Sequence, residues 1–147
     1  MKADQKLYEA AVELIERRLP DAEWATAAAL YLDDGSTATG VCLDNFNAAV
    51  GLCAEAGPVC HAYTTSRDVL ASICVNRVRD RSIDLVLAPC GVCQERLALW
   101  GPDVEVGVAD PEGAGWSSRP LHELNPHYWA SVLSKDGGWP SRTEHAS

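Results

Sequence analysis

No stretch of this chain approaches the ~18 consecutive apolar residues that a membrane span requires. The opening segment, MKADQKLYEAAVELIERRLP, is amphipathic and acidic and has no apolar run of the secretory kind. Both absences lead to the expectation of a cytoplasmic protein with no membrane partner. Basic residues are scarce too: 12 Lys and Arg stand against 21 Asp and Glu, for a net charge of −9. So acidic a surface repels phosphate backbones, which makes nucleic acid an unsuitable partner; a small neutral or cationic molecule fits better. Phenylalanine is nearly missing, with one residue against five tryptophans, whose flat rings suit stacking on a heteroaromatic base. There is no internal repeat and no interdomain linker. The 147 residues read as one domain over 1–134, with a flexible tail over 135–147 where apolar periodicity stops. A 47% hydrophobic content is ample for a single core.

The remaining pattern is that of an α/β chain. Residues 4–19 place Leu7, Ala11, Leu14, Ile15 and Leu19 on one helical face, stopped by Pro20. WATAAALYL (24–32) and STATGVCLD (36–44) flank Asp34-Gly35 as the strands of a hairpin. Segment 44–51 has the Asn and Gly content of a loop. A helix is expected to begin near Cys53, with Gly57-Pro58 an awkward interruption. Residues 68–75, 83–88 and 104–110 read as strands, 90–100 as a helix closed by Gly101-Pro102, and 121–133 as a last helix. Alternating strands and helices predict a three-layer α/β/α sandwich around a mixed, mostly five-stranded sheet.

Six cysteines stand at positions 42, 53, 60, 74, 90 and 93. An even count admits a disulfide reading, but that belongs to short secreted chains, whereas paired spacings in a cytosolic protein point to metal. Cys90 and Cys93 are three apart and share a helix face, at an N-terminus whose free N–H groups favour thiolates. A lone C-x-x-C is shared with redox dithiols, so it decides nothing alone. Cys53 by itself reads as a small buried hydrophobe. Placed at a second strand-to-helix junction on the same sheet edge, it can join the other two. Three ligands with an open fourth position is the arrangement of a catalytic zinc, which can activate water. Cys60 and His61 lie beyond the Gly-Pro break and supply no obvious fourth ligand. Glu55, two residues past Cys53, can overhang such an ion and shuttle a proton. Cys60 and Cys74 read as core residues, and His61 and His127 as histidines satisfied by neighbours.

C-A-E at 53–55 followed by P-C-G-V-C at 89–93 is the order found in zinc deaminases. Trp24 to Trp129 resembles the cytidine deaminase superfamily, in its free-nucleoside branch of cytidine deaminases and blasticidin S deaminases. AAALYLDDGSTATG is similar to the opening hairpin of that branch, and LHELNPHYW to its closing L-x-E-L-x-P-x-x-aromatic segment. The resemblance implies a Zn2+ cofactor held by Cys53, Cys90 and Cys93, with Glu55 as the proton shuttle. Water would attack an amine-bearing ring carbon and ammonia would leave. It also implies substrate contacts from Ala54, Cys42, Asp44, Trp24, Tyr128 and Trp129, and a homotetramer with pockets shared between subunits. Trp24 and Trp129 equally suit a subunit interface.

Four positions depart from that pattern. Cytidine deaminases hold the ribose hydroxyls with an Asn and a Glu; Cys42 and Asp44 stand there here, and a thiol is a poor substitute for an amide. Blasticidin S deaminases keep the Asn, followed by Val and Tyr, and a shorter connection, which this chain lacks. Arginines that often follow each zinc motif are Ala56 and Gln94, leaving Gln94, Arg96 or a helix dipole to offset three thiolates on one dication. The expected function is zinc-dependent hydrolytic deamination of a small amino-substituted pyrimidine-like base or nucleoside. The alternatives are a blasticidin S or nucleobase-analogue deaminase, and a non-catalytic zinc-stabilised domain.

Overall fold

The computed structural model describes residues 1–80, 83–113 and 115–140. Helix α1 (Gln5–Arg18) starts where Asp4 accepts a hydrogen bond from the Leu7 N–H at 2.9 Å, satisfying one of the free donors of the first turn. The same carboxylate accepts from the Tyr31 hydroxyl at 2.8 Å, tying the helix to strand β1 (Trp24–Leu32). Leu7, Ala11 and Ile15 are fully buried against Ala25, Ala27 and Ala29 of β1 and against Ala71, Ile73 and Val75 of β3 (Val69–Val78). Alternate residues of β1, Ala28, Leu30 and Leu32, enter a second core with Val59 and Ala62 of α2 (Ala56–Thr64) and Leu97 of α3 (Gly91–Leu97). The sheet thus has helices on both faces, the expected three layers.

Among the described residues the sheet has six strands in the order β2-β1-β3-β5-β6, with β4 (Leu85–Leu87) paired to β3 beside β5. Strand β2 (Thr37–Val41) is antiparallel to β1, β1 to β3, β3 to β4, and β5 (Glu105–Ala109) to β6 (Trp116–Pro120). The β3–β5 pair is parallel, which makes the sheet mixed. No described helix is long and apolar enough to cross a membrane.

Several elements differ from the sequence reading for local reasons. Strand β6, reading WSSRP, has no apolar alternation to announce it. Strand β3 runs past its apolar stretch because Asn76 faces Thr26 across the ladder and Arg77 is held in a fork by Asp84 at 2.8 and 2.7 Å. The expected helix 121–133 is one turn, α4 (Leu121–Leu124), followed by a 3₁₀ segment over Trp129–Leu133. Pro126 lacks an N–H and pushes Asn125 out of the helical region, to φ −135° and ψ 67°. Cys60, expected in the core, is exposed on the outer face of α2, whose buried face is Ala56, Pro58, Val59 and Ala62. Cys74 is buried. In the expected tail over 135–147, residues from 141 onward lie outside the described residues; before them, Trp139 stacks on Tyr128 with ring centroids 4.2 Å apart.

Two backbone features bring the loop after β2 to the start of α2. A Cβ on Gly40 would lie 2.5 Å from Pro58 Cδ and 2.6 Å from the Ala54 carbonyl, so only glycine allows β2 this close. An isolated bridge then pairs Leu43 with Leu52 through reciprocal N–H···O bonds of 2.9 and 3.0 Å. The intervening residues become a closed loop that returns the chain to Cys53 beside Cys42.

Candidate metal centre and active site

Pro58 falls in the first turn of α2, where a missing N–H costs nothing, so the Gly-Pro pair opens the helix and does not break it. Cys53 lies in the turn just ahead, and Cys90 is the N-cap of α3, in extended conformation, with Cys93 one turn in. Their sulfur atoms all lie within 4.8 Å of one another, and Cys53 Sγ is 3.6 Å from Cys90 Sγ. Zinc–sulfur bonds of ~2.3 Å in a tetrahedron separate sulfurs by ~3.8 Å. The three side chains fit one ion.

The electrostatics favour the same reading. Burial pushes the Cys53 thiol up, with the Cys90 thiol adding to it. Cys93 is driven far up, first by burial and then by the Glu55 carboxylate. Cys90 is held below the ordinary thiol range: burial opposes this, but the Cys93 and Val92 N–H groups at the helix start, with the neighbouring thiols, outweigh it. Three thiols beside one carboxylate cannot all ionise without a compensating cation, and a dication would make every one of these charges favourable. All six cysteines are free, which leaves the disulfide reading without support.

Glu55 is 3% exposed, and its carboxylate has no hydrogen-bond partner among the described residues. It opens onto a cavity of about 220 Å³, lined by Thr26, Cys42, Cys53, Ala54, Glu55, Cys74, Leu87, Ala88 and Cys90. That is smaller than the ~300–1,000 Å³ of drug-sized pockets, and suits a single small ring. A roomier cavity of about 340 Å³ lies by Tyr8, Asp84 and Trp116, but its carboxylate is taken by Arg77 and no thiol lines it.

The positive charge near the thiols comes from Arg96, whose Nη1 donates to Cys93 Sγ at 3.8 Å. Gln94 is used otherwise: its Nε2 donates to the Pro89 carbonyl at 2.9 Å and ties down the loop ahead of α3.

Of the residues expected at the substrate, Cys42 and Ala54 line the cavity with Cys53, Glu55 and Cys90. Asp44 does not; it is exposed on the loop beyond β2. Trp24 is exposed at the head of β1 and is not in the lining. Tyr128 and Trp129 are also outside it: Tyr128 Oη and Trp129 Nε1 donate to the two oxygens of Glu95 on α3, at 3.0 and 2.9 Å. Burial and that bond push the Tyr128 hydroxyl up to about 12. The sequence reading missed Thr26, Leu87 and Ala88, and took Cys74 only as core. Their signal was the period of two along β1, β3 and β4, which turns Thr26, Cys74 and Leu87 to one face.

No family model matches the chain, and neither does any curated protein. Solved structures do match. The cytidine deaminase from Bacillus anthracis superposes with a TM-score of 0.84 at 36% identity, over 97% of this chain and 98% of that one. That from Mycobacterium leprae gives 0.63 at 27%, covering 83% and 96%. That from Mycobacterium tuberculosis gives 0.62 at 28%, covering 84% and 94%. With that likeness running along almost its whole length, the chain belongs to the cytidine deaminase superfamily.

Proposed function

We propose that this protein is a zinc-dependent hydrolytic deaminase of a small amino-substituted pyrimidine-like base or nucleoside. Residues 1–134 form its one domain, Cys53, Cys90 and Cys93 hold the metal, and Glu55 is the proton shuttle. The observation that carries the reading is the buried Glu55 carboxyl, with no partner among the described residues, sharing a small cavity with the thiol triad. Bound by the three thiolates, zinc would supply Lewis-acid activation of water at an open fourth position. Glu55 takes the proton of the attacking water and delivers it to the departing amine, so water is consumed and ammonia released. Ala54, Cys42, Leu87 and Ala88 wall the ring in, and their low polarity strengthens the field of the carboxylate on the reacting atoms. Cytidine, the substrate for which the similar structures are named, is the natural first candidate, though Cys42 offers little to a ribose hydroxyl.

Exposed apolar side chains at Trp24, Phe46, Val50, Trp129 and Val132 support assembly into a homotetramer. We assign the enzyme to the cytoplasm. The decisive experiment is Glu55→Gln, assayed for zinc content and for ammonia release from cytidine, deoxycytidine, cytosine and blasticidin S. Zinc stays at one per chain while turnover falls at least ~10²–10⁴-fold. Undiminished turnover in the variant would refute the role of Glu55.

A further inference from the structure

Thr26 is the one residue lining the small cavity whose side chain carries a neutral hydroxyl or amide; its companions are thiols, aliphatics and the Glu55 carboxyl. It pairs directly with Asn76 across the β1–β3 ladder, on the face that carries Cys74. Asn76, buried at 9% exposure, donates from Nδ2 to Thr26 Oγ1 at 2.9 Å and towards the Ala25 carbonyl at 3.5 Å. A backbone carbonyl can only accept, so the amide nitrogen must face it, and the bond to Thr26 therefore runs from amide to hydroxyl. This fixes the role of the hydroxyl: its oxygen is engaged by Asn76, and its proton is left to donate. Among the described residues it donates to none. A donor left unpaired beside an otherwise apolar wall costs free energy until something accepts from it.

We propose that Thr26 is a specificity-determining residue, oriented by Asn76, that donates a hydrogen bond to a ring carbonyl oxygen of the substrate. The inference rests on the deaminase reading and narrows its substrate to the oxo-aminopyrimidine class. The amine must lie at the Glu55 and thiol end for the chemistry to occur. The unprotonated ring nitrogen beside the amine-bearing carbon also accepts, but it lies with the amine at the Glu55 end, which leaves the carbonyl oxygen to answer the hydroxyl donor. Rings without it leave the Thr26 donor unpaired, and a site built around a hydrogen bond discriminates strongly against such analogues.

The test uses the zinc-loaded protein and two rings that cannot be turned over: uracil and pyrimidin-4-one, which lacks one carbonyl. Calorimetry is expected to show uracil binding at least ~10-fold tighter in the wild type. Thr26→Val and Thr26→Ala bring the two rings within ~3-fold of each other, while Thr26→Ser keeps the preference; zinc content is unchanged in all three. With cytosine, Thr26→Val raises KM and leaves kcat within ~3-fold. Asn76→Asp draws the hydroxyl proton to its own carboxylate and abolishes the preference with Thr26 still in place, an effect that a packing role for Asn76 does not produce. Equal binding of the two rings by the wild type, or a preference surviving in both Thr26→Val and Thr26→Ala, overturns the proposal. Because binding needs no turnover, this outcome is separable from a failure of the Glu55 assignment.

Discussion

Arg96 touches the sulfur of Cys93 from the same face of a short helix, three residues on in the chain. Three thiolates on a dication carry a net negative charge, which lowers the Lewis acidity of the ion unless donors draw charge off the sulfur. Arg96 is placed to do so from one turn along α3, while Gln94, which sequence reasoning considered for the same task, is committed to the Pro89 carbonyl. Side chains at i and i+3 share a helix face, so the spacing of Cys93 and Arg96 was available in the sequence. Which of two polar neighbours would reach the sulfur was not, since that depends on the loop ahead of α3. Replacing Arg96 with Leu is expected to weaken zinc binding ~10–100-fold in competition with a chromogenic chelator. Unchanged affinity would show that the guanidinium contact is incidental.

At the scale of elements, two clamps set where the site can be. Tyr128 and Trp129 hold both oxygens of Glu95, fastening the segment after α4 to the helix that carries Cys90 and Cys93. At the opposite face, Asp4 caps α1 and binds Tyr31. The Asp4 carboxyl lies below its ordinary value of 3.8, chiefly because of the Leu7 N–H and then the Tyr31 hydroxyl. A depressed folded-state value means the stabilisation is present above the unfolded value and is lost as pH falls through the folded one. Asp4→Ala should therefore lower Tm at pH 7 by a few degrees, for a cap of ~1 kcal/mol, and the gap from wild type should narrow as pH falls below the ordinary value of 3.8. A gap that stays constant as the carboxyl is titrated would assign the loss to packing alone. The helix α1, the opening hairpin and the two thiol junctions were legible because periodicity and turn residues are local. Strand β6 and the broken last helix were not, the first held by pairing with β5 and the second cut by a proline within an otherwise helical pattern.

For the molecule as a whole, the sheet is what makes separated motifs one site. Strands β2 and β4 end at the same level of the sheet, opposite Ala27 of β1 and Cys74 of β3, and the Leu43–Leu52 bridge and the Gly40–Pro58 approach close the remaining distance. Residue types and order announced the thiol triad and Glu55; the cavity walls needed the register of β1 with β3. Apolar side chains at Phe46, Trp129 and Val132 remain uncovered within the chain, and sedimentation should find four subunits, with Phe46→Glu shifting the protein to smaller species. A monomer at micromolar concentration would contradict that assembly. Cys42 and Cys74 line the same cavity as the triad, so the coordination number of the ion is the sharpest question the architecture poses. Zinc-edge X-ray absorption on the purified protein answers it directly. Three sulfurs at ~2.3 Å and one lighter oxygen or nitrogen scatterer near ~2.0 Å are expected. Four sulfurs around the metal would close the position that the attacking water must occupy, and would contradict that expectation.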